Sequence, residues 1–91
     1  MVVYRECESK KGREKLYCLV DAILRDYREG VIDRDTAAAR LRYLVALNFQ
    51  HDWVPMPETY EVVANALAEI GVKPGRRMER ELRKAYAYAY A

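Results

Sequence analysis

The apolar residues of this chain recur at the spacing of a helix face, and Gly and Pro interrupt that spacing at short intervals. Leu16, Leu19, Val20, Ile23, Leu24 and Tyr27 stand at i, i+3, i+4, i+7, i+8 and i+11. That series lines one side of an amphipathic α-helix and no face of a strand. Gly30 ends the series, because a glycine takes the left-handed position after a helix without a Cβ clash. The spacing predicts a helix over about residues 10–29, with Gly12 weakening its first turn.

Three more helices follow by the same reasoning. Asp33 or Asp35 can accept the free N–H groups of a first turn, and the next stripe is Ala37, Leu41, Leu44, Val45 and Asn48, flanked by Ala38 and Leu47. This predicts a helix over about 34–49, antiparallel to the first because the connection is so short. Pro55 and Pro57 forbid a continuous helix through the segment that follows. Pro57 suits the first position of a third helix, over about 57–70, with Glu58 and Glu61 near its positive end. Tyr60, Val63, Ala64, Leu67 and Ile70 form its stripe, and Gly71 stops it. Val72-Lys73-Pro74-Gly75 is a turn, and Met78, Leu82, Ala85 and Ala89 define a fourth helix over about 75–88.

From Ala85 onward Ala and Tyr alternate. Alternation is the period of a strand, whereas Ala favours helix. Pairing with Val2–Cys7 would make a two-stranded ribbon of marginal stability, so helix is the expectation as far as Tyr88. The predicted fold is all-α: a single domain over 1–91, a compact four-helix orthogonal or antiparallel bundle with a helix-turn-helix-like C-terminal half.

Composition agrees with a folded chain. Of 91 residues, 52% are hydrophobic and 33% charged, which suits one small globular domain with a modest core. No apolar run approaches the ~18–20 residues of a membrane span. MVVYRECES lacks the basic-then-apolar layout of a secretory signal, so the expected location is the cytoplasm. Cys7 and Cys18, eleven apart, match no zinc or redox spacing, and are expected as two reduced, partly buried thiols. A bridge between them would fit a hyperthermophile, where intracellular disulfides occur. The scarcity of Asn and Gln beside many charges points to a thermophilic source, although a GC-rich genome gives the same bias.

The inventory of reactive groups is poor. His51 is the only His and Ser9 the only Ser. The His51-Asp52-Trp53 run invites a general-base role, but no Ser, Cys or second His is near it in sequence, and Asp52 alone builds no metal site. With Phe49, Val54 and Met56 beside it, the run reads as an apolar plug. The pairs Asp33/Asp35 and Glu79/Glu81 are two apart and point to different sides of a helix. No glycine-rich phosphate loop or dinucleotide fingerprint occurs. The expectation is a protein that is not an enzyme and takes no cofactor or metal.

Charge distribution is more informative. The net charge is only +2, yet the six basic and two acidic residues from Lys73 to Lys84 give +4. Asp21 to Glu61 carries five basic and eight acidic residues, giving −3. Arg76, Arg80, Arg83 and Lys84 form a stripe offset from Met78, Leu82 and Ala85, with Arg77 and Lys73 beside it. A helix inserted in a DNA groove needs that division between a packed face and a face of donors, and Arg is well shaped for bidentate contacts to phosphate or guanine. The competing reading is a solvated surface helix whose Glu79 and Glu81 pair with its bases. The turn also lacks the Ser or Thr that often opens a recognition helix.

The expectation is a small non-enzymatic nucleic-acid-binding protein that contacts duplex DNA, as a dimer, through Lys73, Arg76, Arg77, Arg80, Arg83 and Lys84. The alternative is a non-catalytic adaptor or assembly subunit that meets a protein partner through Trp53 and the Tyr86, Tyr88, Tyr90 tail, since three tyrosines two apart cannot share one helix face. Tyr17, Tyr27, Tyr43 and Tyr60 are expected at the core edge with their hydroxyls in water.

Overall fold

The computed structural model describes residues 4–50 and 57–89, with the side chains of 4–45 and 57–87. After a 3₁₀ turn at Arg5–Cys7 come α1 (Gly12–Arg28), α2 (Arg34–Gln50), α3 (Pro57–Glu69) and α4 (Arg76–Ala89). The chain is all-α, as its periodicity predicts, and the described residues contain no strand. Residues 85–89 continue α4, so the Ala-Tyr alternation resolves as helix. The start of α1 falls at Gly12, whose φ of 60° is a left-handed value that a right-handed helix cannot extend back through.

Local signals set the helix ends. At the end of α1, Gly30 takes φ 76°, its N–H donates to the Tyr27 carbonyl, and the Val31 N–H donates to that of Asp26. At the end of α3, Gly71 takes φ 78°, donating to Ala68 while Val72 donates to Leu67. Both are Schellman motifs, which satisfy carbonyls that a helix end would otherwise leave open. Asp33 caps α2: the Thr36 N–H donates to its Oδ1 at 2.7 Å, and that bond holds the carboxyl below its usual value. Pro57 stands at the first position of α3.

Surface pairs fix the direction of packing. Glu58, at the start of α3, receives the Tyr17 hydroxyl at 2.9 Å and Arg13 at 2.9 Å, both from the first half of α1. Glu69, at the end of α3, receives Arg28 from the end of α1 at 2.9 Å. Helices α1 and α3 are therefore parallel, and α2 returns between them. The core is built from Leu16, Val20, Ile23 and Leu24 of α1, Ala37, Leu41, Leu44 and Val45 of α2, and Tyr60, Val63, Ala66 and Leu67 of α3.

Packed against α1, α2 and α4, α3 is covered from three sides. Tyr60 is therefore fully buried, not at the core edge with its hydroxyl in water, and Ala66 joins the core although it lies off the predicted stripe. Tyr17 and Tyr43, each 41% exposed, do lie at the edge. Among the described residues, α4 packs on no helix but α3, through Met78 and Ala85 with Leu82 at the margin.

The expectation of two reduced cysteines is overturned: Cys7 and Cys18 are disulfide-bonded, with Cα atoms 5.7 Å apart, within the range such a bond needs. The reason is topological. The segment before α1 folds back along that helix, so the 3₁₀ turn meets the second turn of α1 and buries Cys7 completely. Two polar ties reinforce the strap. The Tyr4 hydroxyl donates to Asp26 Oδ2 at 3.0 Å and accepts from Arg40 Nη1 at 3.0 Å, linking α1 to α2. Arg25 pairs with Glu6 at 2.8 Å, which holds the Glu6 carboxyl below its ordinary value.

Two outcomes follow for stability. Closing a loop of this length is worth about 3 kcal/mol, so replacing Cys7 and Cys18 by Ser should lower the urea-unfolding free energy by that order, and an unchanged midpoint would remove the disulfide from the stability account. The Tyr60 phenol is pushed up from 10.0 to about 12 by burial, with the Glu81 charge adding to it. Above pH 10 the unfolded chain loses that proton while the native state keeps it, so this contribution is full below pH 10 and is lost as pH rises to about 12. Thermal unfolding of Tyr60→Phe should therefore fall off less steeply over that window than that of the parent, and parallel curves would refute the assignment.

Candidate nucleic-acid interface

The cationic surface is built on α4 and the turn before it. That turn follows from the Gly71 motif and from Pro74, and it ends at Gly75, whose φ of 89° suits only a residue without a Cβ. The Gly75 carbonyl accepts the first helical bond, from the Glu79 N–H. From there α4 runs back along α3, which brings Glu81 close enough to act on Tyr60.

At about 100° per residue, Met78, Leu82 and Ala85 face α3. Arg83, Arg76, Arg80, Lys84 and Arg77 occupy an arc of about 120° on the opposite side. All five are exposed, as is Lys73 in the turn. The intrahelical pairing expected of a solvated helix is nearly absent. Lys84 sits 3.8 Å from Glu81, and among the described residues Lys73, Arg76, Arg77, Arg80 and Arg83 form no ion pair. Among the described residues, then, no carboxylate neutralises these charges at ion-pair distance.

Sequence reasoning passed over one member of this surface. Arg42 is an exposed residue of α2, and its Nη2 donates to the Lys73 carbonyl at 3.3 Å. The α2 pattern held the signal: next to Leu41 in the core, position 42 lies about a quarter-turn round, on the flank. The flank that faces the α3–α4 turn is a matter of packing, which the stripe alone does not contain.

The tyrosine-rich region is described only in part. Tyr86 is 38% exposed and Ala87 is exposed beside it, while Tyr88 belongs to α4 through its backbone. The Tyr88 side chain, Tyr90, Trp53 and the His51-Asp52-Trp53 run lie outside the described residues. An open groove of about 690 Å³ lies elsewhere, between the strap and α1, where Glu6, Glu14 and Asp21 alternate with Lys10, Arg13 and Arg25. Its charges cancel, so it has no field like that of α4. Among the described residues no cluster of three or more His, Cys, Asp or Glu is placed to hold a metal, and no helix is long and apolar enough to cross a membrane. Family models, curated proteins and solved structures give no match to this chain.

Proposed function

We propose that this chain is a small, non-enzymatic DNA-binding protein that uses α4 as its contact helix. The observation that carries the reading is the arc of exposed, mutually adjacent cations on α4, all but one of them without an acidic partner among the described residues. Neutralising phosphates with such residues releases condensed counterions, which is the main source of affinity for nucleic acid. Lys73, at the root of the helix, adds a further cation. A dimer would double the contacts, as in many helical DNA-binding proteins. A thermophilic source fits this reading, since the Cys7–Cys18 bond and a cytoplasmic location are compatible where intracellular disulfides occur.

A second reading, a non-catalytic adaptor or assembly subunit, is favoured by the exposure of Tyr86 next to Ala87. It requires that deleting residues 86–91 lower the mass measured by light scattering. An unaltered mass would leave it without support.

For the DNA reading, the triple variant Arg76→Ala, Arg80→Ala, Arg83→Ala should bind duplex DNA more weakly. The slope of log K against log salt should be shallower by about 2.7, at about 0.9 for each phosphate no longer neutralised. Anisotropy titrations between 50 and 200 mM salt measure both. An affinity and slope equal to those of the parent would exclude α4 as the contact helix.

A further inference from the structure

We infer that α4 lies along the phosphate backbone of duplex DNA and holds it without reading base sequence. This rests on the reading of α4 as a DNA-contacting surface and narrows what that surface recognises.

Three features of the helix support it. The first is where the acids stand. Glu79 and Glu81 each lie about 40° beyond an edge of the cationic arc, one on either side, and Glu79 is exposed. A helix seated deep in the major groove turns its flanks toward two phosphate walls, and here each flank carries a carboxylate. A helix lying on the backbone presents only the arc and keeps both acids turned away. The 3.8 Å approach of Lys84 to Glu81 marks the line where the surface changes sign.

The second is the kit for readout. Adenine is read by Asn or Gln, cytosine by a carboxylate, and thymine by small apolar groups. No Asn, Gln, Ser or Thr occurs anywhere in α4, whose sequence is RRMERELRKAYAYA. Within the arc the only other residue is Ala87, near its middle by the helical wheel; its methyl can touch a thymine but makes no hydrogen bond to fix a base pair. Arginine alone can choose guanine, but a row of arginines serves phosphate equally well. Among the described side chains the arc carries no aromatic ring on which an unpaired base would stack, as single-strand surfaces require. It lacks, too, the hydroxyl and amide side chains suited to the 2′-hydroxyls that duplex RNA displays.

The third is that the surface does not stop at the helix. Arg42 of α2, joined to the Lys73 carbonyl at 3.3 Å, carries positive charge past the start of α4 onto a second element. A reading helix stands proud of its scaffold to enter a groove, whereas cations continuing through the turn onto a second helix form a shallow track. From Arg76 to Lys84 the track covers about 12 Å of helix axis, and Lys73 and Arg42 lengthen it.

The test uses the intact protein and a panel of 20-base-pair duplexes of unrelated sequence, with a single strand and an RNA duplex of the same length, titrated by anisotropy from 50 to 300 mM KCl. The expected result is duplex DNA affinities agreeing within about threefold, and a salt slope of about −6, at about 0.9 for each cation of the track that neutralises a phosphate. Arg42→Ala should make the slope shallower by about 0.9 while leaving the circular dichroism spectrum unchanged. A preference above tenfold for one duplex would overturn backbone-only recognition and leave DNA binding by α4 standing. Tighter binding to the single strand or to the RNA duplex would overturn the choice of duplex DNA, and a full slope in Arg42→Ala would remove α2 from the track. No binding to any of these at 50 mM would overturn the DNA reading itself.

Discussion

Everything in this bundle is arranged around the burial of α3. That helix touches the other three, and Tyr60, Val63 and Leu67 are sealed from water as a result. Removing side chains of this size from a packed core costs about 2–5 kcal/mol each, a large share of what a 91-residue domain has to spare. Small residues make the close approach possible, since Ala37, Ala38 and Ala66 are all buried where the helices meet. The ion pairs at Glu58 and Glu69 each add little to stability at such exposure. Their effect is on direction, because both can form only if α1 and α3 run the same way.

The polarity of the molecule follows from that hub. The charges of α3 are all acidic, at Glu58, Glu61 and Glu69, and two of them are matched by arginines of α1. The basic residues of α4 have no such counterpart on the helix they pack against, because their side of α4 is turned outward. Separation of charge is thus a consequence of which face of each helix is apolar.

Much of this architecture is written in the chain as period and punctuation. Gly30, Gly71, Asp33 and Pro57 do in the fold what their chemistry suggests, so the helices fall within a residue or two of their expected limits. The stripes at Leu16 to Leu24 and at Tyr60 to Ile70 name most of the core. What a stripe leaves open is how many neighbours a helix has. Tyr60 looked like an edge residue because a wheel shows one buried face, and α3 has three. The Cys7–Cys18 bond was hidden for a related reason: a separation of eleven means nothing until the strap is known to double back on α1. Arg42 joins the basic surface only through the way α2 packs beside the α3–α4 turn. On α4 itself, the cations were legible by position; that, among the described residues, only Lys84 has an acidic partner was not.

The one-sided seating of α4 also has a consequence for how the molecule opens. A helix held by a single neighbour can detach without dismantling the rest, so amide hydrogens of α4 belong to a lower-energy opening unit than those of α1 to α3. The strap works in the other sense, since a covalent ring closes the N-terminal side against the same kind of fraying. Among the described helices, opening should therefore cost most where the disulfide clasps α1 and least at α4. A polyanion that engages only the seated helix would shift that local equilibrium by mass action, making α4 the segment whose hydrogen-exchange protection depends most on what the solution contains.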